Sequence, residues 1–161
     1  MTLAQGHIYE VEIDATGASD LVAVGGTATL AGSVAVSPLG GYLVGTPYTI
    51  LTAGSLGGTR FDAVSFTESY AFVSALLSYD ANSVDLTIQR NGIAYASVAE
   101  GDNQRAVANA LESLPINGTL GRTVAFGTVD AARAAFSGLS GEVHALSLIH
   151  ISEPTRLGMI S

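Results

Sequence analysis

The sequence predicts an all-β solenoid with a short helical C-terminal part. Three observations predict it. Within Ile8 to Asp14 the apolar Tyr9, Val11 and Ile13 alternate with the acidic Glu10, Glu12 and Asp14. Leu21 to Val36 then delivers LVAV, TATL and SVAV in quick succession, separated by small-residue pairs. After Tyr95 the apolar period changes from two to that of a helix.

In the first segment Tyr9, Val11 and Ile13 face one way, and Glu10, Glu12 and Asp14 the other, which is the pattern of a half-buried strand. The next three runs are about four residues each. Their corners are expected at Gly25-Gly26 and Ala31-Gly32, with Ala23, Ala28 and Ala35 filling a narrow interior. Turn signals this closely spaced do not suit a hairpin sandwich, where they recur about every 8–12 residues. They suit a coil that bends and continues along the next face, on the order of 20 residues per turn. A small irregular β-sandwich is the alternative left open.

Later strands are expected at Tyr48–Leu51, Phe61–Ser65, Ala71–Tyr79 and Val84–Gln89, with turns at Gly54–Gly58 and Asp80-Ala81-Asn82. The aromatics Phe61, Phe66, Tyr70, Phe72 and Tyr79 concentrate here. Large rings toward one end predict a cap over the open core. Asp102 is expected to N-cap a helix through Leu114, with Ala106, Val107, Ala110, Leu111 and Leu114 as its apolar stripe. Pro115 stops it, and Ile116-Asn117-Gly118 turns the chain. A second helix is expected from Asp130 to about Phe136, ended by Gly138 or Gly141.

The chain has 161 residues, 48% hydrophobic and 12% charged, with 14 acids against 6 bases and a net charge of −8. That excess disfavours nucleic acid and anionic lipid as partners. There is no cysteine, hence no disulfide, thiolate zinc site or cysteine nucleophile. The first residues lack a basic region and a long apolar run, so they do not read as a secretory signal. Either the protein is cytosolic or its true beginning lies upstream. No apolar run approaches the roughly 20 residues of a membrane helix.

The search for chemistry finds no catalytic, cofactor or metal residue to nominate. Ser140 in Gly138-Leu-Ser-Gly-Glu142 misses the nucleophile elbow, because Glu142 stands where glycine is needed. It reads as a helix-end residue, with His144 the one histidine near it. His7 at a strand start reads as a surface residue. Glu10, Glu12 and Asp14 could hold a cation loosely but read better as a solvated face that discourages edge pairing. Asp80 and Asp85 flank a turn. Asn117-Gly-Thr119 matches a glycosylation sequon, and its Asn-Gly is equally a turn. Gly25-Gly26, Gly40-Gly41 and Gly57-Gly58 read as backbone corners rather than phosphate cradles. The amides of Asn103, Gln104 and Asn109 read as capping or packing groups.

The last stretch, Leu146-Ser-Leu-Ile-His-Ile-Ser-Glu-Pro-Thr-Arg156, resembles the conceptual translation of a transposase library adapter. Leu157-Gly158-Met159 would then be the sample index, and Ile160-Ser161 the platform sequence. On that reading residues 146–161 are a non-native tail, the natural chain stops near Ala145, and His150 and Glu153 carry no biological meaning. The other reading is a natural strand, SLIHIS, before a Glu-Pro turn.

The remaining segments, taken in order, resemble the C-terminal end of the passenger in Gram-negative autotransporters of type V secretion. The pieces are Tyr9-Glu-Val-Glu-Ile13, Ser19-Asp-Leu-Val22, Gly26-Thr-Ala-Thr-Leu30, Tyr48-Thr-Ile-Leu-Thr-Ala53, Leu77-Ser-Tyr-Asp80 with Val84-Asp-Leu-Thr87, Asp102-Asn-Gln-Arg-Ala-Val-Ala108 and Leu139-Ser-Gly-Glu-Val-His-Ala145. Together they cover almost all of residues 7–145. The resemblance implies the end of a right-handed parallel β-helix with an autochaperone-like cap over residues 1–100. It implies a helical linker over 101–145, leading to an outer-membrane barrel. It implies a non-enzymatic segment at the cell surface, whose partners are its own barrel, the upstream passenger and the outer-membrane assembly machinery. The competing expectation is an enzyme or carbohydrate-binding module on a solenoid scaffold. A third is a free-standing binding module with a small β fold.

Overall fold

The computed structural model describes residues 1–141. Over them the protein is mostly β, with three α-helices. The strands are β1 (Ile8–Asp14), β2 (Val22–Thr27), β3 (Ser33–Leu39), β4 (Pro47–Ser55), β5 (Ala63–Phe66), β6 (Val73–Tyr79) and β7 (Ser83–Arg90). A 3-10 turn (Tyr95–Val98) and helices α1 (Asp102–Glu112), α2 (Thr119–Ala125) and α3 (Val129–Ser140) follow. The motif at 139–145 lies only partly within the described residues, and the tail at 146–161 lies outside them.

Consecutive strands do not pair with each other until the end of the β region. β1, β3 and β5 form one all-parallel sheet, while β2 and β4 pair in parallel in a second. The chain therefore alternates between two sheets and returns to each after one repeat. Ile8 lies opposite Ser33 and Ser33 opposite Ala63, which are steps of 25 and 30 residues. Val22 lies opposite Leu51, a step of 29. A third short segment stacks in the same sense: Thr2 bridges Thr29 in parallel, and the Leu30 N–H donates to the Thr59 hydroxyl at 2.8 Å. Antiparallel layers joined by hairpins would not give this pairing. The repeat is longer than the expected 20 residues, because β3 and β4 run to seven and nine residues rather than four.

Side chains on β1 and β3 alternate as a parallel register requires. Val11 lies opposite Val36, and Val36 opposite Phe66, so one inward column grows from valine to phenylalanine along the stack. Val11, Ile13, Val34, Val36, Ile50, Leu51, Val84, Leu86 and Ile88 are all buried. Two of the three expected interior alanines are misplaced. Ala28 is buried, but Ala23 is exposed and Ala35 only partly covered. In both runs the flanking valines turn inward, since they remove more apolar surface from water.

The corners also divide. Gly25-Gly26 is no corner: it lies inside β2, where the pairing with β4 shifts register between Val24 and Thr27. Gly32 is a true corner with φ +77°. It is held in a three-layer stack. The Ser33 N–H donates to the His7 carbonyl at 3.0 Å, and the Gly32 N–H donates to the Asp62 carboxylate at 2.8 Å. A side chain at 32 would run into the His7 carbonyl.

The helical part departs from expectation in three ways. Gly101 is the N-cap of α1, and Asp102 is its first residue, paired with Arg105 at 2.8 Å. The buried face of α1 is Gln104, Ala108 and Leu111, while Ala106, Ala110 and Leu114 are exposed. The stripe is therefore rotated, and it includes a polar residue that hydrophobic periodicity cannot select. Finally α2 was not expected at all. α3 begins with Thr128 capping the Ala131 N–H and ends at Gly141 with φ +74°.

Gly32→Ala combines a positive φ with a backbone collision. It is expected to destabilise the protein by at least about 2 kcal/mol, read as a lower urea midpoint at constant m. Gly25→Ala, with negative φ and nothing within 4 Å of its Cβ position, should change the midpoint far less.

Candidate functional site: the sealed end of the strand stack

A parallel stack exposes two kinds of surface at its ends, unpaired backbone edges and apolar interior. Here the two ends differ. At one end both outer strands, β1 and β2, pair in parallel with the next strand of their sheet. At the other, β7 lies antiparallel against β4, and β6 pairs antiparallel with β7. The direction reversal ends the parallel series. The turn at Asp80–Asn82 is fastened to β4: the Ala53 N–H donates to the Asn82 carbonyl at 2.7 Å, and the Asn82 amide donates to the Ala53 carbonyl at 3.1 Å.

The joint between β4 and β7 carries a bulge. Thr49 lies opposite Asp85 and Leu51 opposite Val84, leaving Ile50 without a cross-strand partner. The carbonyl freed there accepts from the Tyr9 hydroxyl at 2.8 Å. Tyr9 thus ties the first sheet to the second across the core. Tyr48 makes a second strap. Its hydroxyl accepts from the Leu43 N–H at 2.7 Å and donates to the Asp14 carbonyl at 2.9 Å. Satisfying both groups lets a phenol sit at 1% exposure in an apolar core.

The apolar interior is closed by rings around Tyr42, a residue that no periodic pattern in the sequence singles out. Tyr42 is fully buried. Its ring centroid lies 4.0 Å from Phe126, 6.0 Å from Phe66 and 5.7 Å, edge-on, from Tyr70. Each such pair is worth about 0.5–1.5 kcal/mol beyond its buried area. The ring joins β5, the loop after it and the end of α2. Gly41 makes the approach possible: φ is +121°, and a Cβ there would sit 3.0 Å from the Phe126 ring. Asn117 fixes the other side of the joint, accepting from the Val44 N–H and donating to the Val44 carbonyl, both at 2.9 Å. Its amide is therefore committed to the turn. These contacts hold α2 in place.

A second clamp joins the end of β7 to α1. The Arg90 guanidinium lies 4.0 Å from the Tyr95 ring centroid and pairs with Glu112 at 2.7 Å. Glu112 also accepts from the Tyr95 N–H at 2.8 Å. Phe72 meets Tyr95 edge-on at 4.8 Å. Phe61 and Tyr79 close the opposite corner: the Phe61 N–H donates to the Tyr79 hydroxyl at 3.1 Å, and Arg60 lies over the Tyr79 ring. Of the five aromatics singled out in the sequence, all take part in these contacts.

The polar residues weighed for chemistry are dispersed. His7 is exposed ahead of β1. Ser140 ends α3, its hydroxyl donating to the Ser137 carbonyl at 2.8 Å. Glu142 and His144 lie outside the described residues. Asp14 accepts from the Thr16 hydroxyl and from the Thr16 and Ala18 N–H groups, which holds its carboxyl below the usual carboxylate range. It is a turn-capping group. Asp85 accepts from the Thr49 hydroxyl at 2.6 Å. Among the described residues no three His, Cys, Asp or Glu side chains gather as a metal site. Gln104 is a packing group: it accepts from the Glu100 N–H and donates to Ser137.

All six tyrosines are held above the ordinary phenol range, each chiefly by burial. For Tyr9 the value is pushed up to about 12, with Asp20 adding to burial. A raised folded-state value means that stability is complete below the unfolded phenol value of about 10 and falls as pH rises through the folded one. Tyrosinate absorbance from the buried Tyr42, Tyr48 and Tyr95 is therefore expected to appear together with loss of the β-sheet circular dichroism signal, above about pH 10. Full ionisation of all six tyrosines ahead of unfolding would contradict the burial of these three rings.

No protein-family model matches the chain. Two curated proteins do, both named extracellular serine protease and both from Serratia marcescens. One is 33% identical over 157 aligned residues, spanning 89% of this chain and 15% of the relative. The other is 33% identical over 134 residues, spanning 74% of this chain and 13% of the relative. The chain thus spans about a seventh of the length of these relatives, and over most of its own length it is similar to one stretch of an extracellular serine protease of Serratia marcescens.

Proposed function

We propose that the chain is the C-terminal part of an autotransporter passenger. It would be the last turns of a right-handed parallel β-helix, sealed by an autochaperone-like cap over residues 1–100. A helical linker from residue 101 to about 145 would lead toward an outer-membrane barrel. Its role is structural: it folds first at the cell surface, offers a finished edge to the chain that follows, and anchors the passenger to its barrel. It is not itself an enzyme. The serine protease activity in the relatives' name belongs to proteins several times longer. The partners are the upstream passenger, the barrel and the outer-membrane assembly machinery.

One observation carries this reading. One end of the strand stack is built of parallel strands alone and the other carries the antiparallel β6–β7 pair, and the parallel end is the N-terminal one. A passenger that leaves the barrel C-terminal end first needs that polarity, because each coil added upstream requires a completed edge beneath it. The returns of 25–30 residues between parallel strands support a coil geometry. The absence of cysteine suits a chain that must stay unlinked while threading. The named location of the relatives supports an extracellular setting.

In the full-length protein, Tyr42→Ser, Tyr48→Ser and Phe72→Ser are each expected to lower surface display by several-fold. The readout is antibody labelling and protease accessibility of the upstream passenger on intact cells. Leu39→Ser, at an exposed strand end, should display normally. Normal display of all three cap variants, despite a measured loss of cap stability, would overturn the templating role.

A further inference from the structure

Among the described residues the sheets present four outer strands, and three are poorly suited to pairing with a second copy of themselves. β1 carries Glu10, Glu12 and Asp14, and acidic groups on a strand oppose its pairing with a like strand. β2 is interrupted by the register shift at Gly25-Gly26. β5 has only four residues. β6 is different. It pairs with β7 without interruption over seven residues, Val73 opposite Arg90 through Tyr79 opposite Val84. It is the terminal strand of its sheet. Its sequence, VSALLSY, has no charge, proline or glycine, the devices that ordinarily protect an edge. Leu76 at its centre is 49% exposed.

We propose that the outer edge of β6 pairs with β6 of a second copy, antiparallel across a two-fold axis. The occupant follows from self-complementarity. Full overlap of Val73–Tyr79 with itself fixes one register, in which Leu76 faces its own copy and Ser74 faces Ser78. No like charges meet, although the chain is strongly acidic overall. The two exposed leucines cover each other, and the outward N–H and C=O groups of both strands gain partners. Pairing consumes the edge on both sides, so the assembly closes at two. This surface lies on the strand farthest from β2 in its sheet, so the dimer leaves the open N-terminal end free. The proposal stands whether or not the secretion role does.

The test uses the full chain. Sedimentation across a concentration series should show a dimer, and Leu76→Lys should shift it to monomer mass with an unchanged circular dichroism spectrum. Leu39→Lys, which adds the same charge elsewhere, should stay dimeric. Because the chain has no cysteine, single replacements report the register. Leu76→Cys should form a disulfide dimer on mild oxidation. Ser74→Cys or Ser78→Cys alone should not, since each would lie about 13 Å from its own copy, beyond disulfide reach. A mixture of those two should cross-link. A wild-type monomer throughout, a dimer untouched by Leu76→Lys, or a dimer in which Leu76→Cys fails to link would each overturn the proposal.

Discussion

A parallel stack of strands has no natural end. Every added strand satisfies the edge below it and creates a new one above, and the interior column stays open. The reversal of chain direction at β7 ends the parallel series in one of the two sheets, and the rings about Tyr42 cover the core. Much else follows from that. The bulge at Ile50 arises where parallel and antiparallel neighbours share β4, and the Tyr9 hydroxyl satisfies what the bulge leaves over.

The helical part is bound to this closure. Its apolar side is divided between two cores: Ala125 packs with the strand interior, while Phe72 and Tyr95 pack with Ala108, Leu111, Val124, Ala132 and Phe136. Arg90, Glu112 and Asn117 add directional contacts at the seam. Arg90 Nη1 is buried without a hydrogen-bond partner among the described residues. The planar guanidinium stacked on Tyr95 and paired with Glu112 offsets that cost. Sealed end and helices should therefore open together, whereas β1 and β2, with one neighbour each, have less to hold them.

Much of the strand region was legible because its signals are local. The alternation of Ile8–Asp14 fixes its buried face, and the turns at Gly57-Gly58 and Asp80–Asn82 fall where the sequence puts them. Polarity of pairing was legible only indirectly, through spacing. What was hidden depends on tertiary contact. Ala23 and Ala35 stand beside valines of the same spacing, and only packing decides which set turns inward. α1 buries Gln104 because Ser137 and the Glu100 N–H await its amide. α2 holds weak helix formers, Thr119, Gly121, Thr123 and Val124, and is secured by Gly41 and Tyr42 from far upstream and by Asn117 just ahead of it. Tyr42 itself follows two glycines in a loop and belongs to no periodic pattern. No cluster of chemistry-bearing residues was nominated in the sequence; of the polar groups weighed, Asp14, Asp85, Gln104, Asn117 and Ser140 take turn, cap or packing contacts.

The central claim is that stability is polarised, greatest at the sealed end and falling toward the open one. Native-state hydrogen exchange reads this residue by residue. Amides of β4 and β7 should exchange only through global unfolding, and among the outer strands the β6 amides that pair with β7 should outlast those of β1 and β2, which are released first through local opening. Protection that is uniform along the stack, or greater in β1 and β2 than in β4 and β7, would contradict the account.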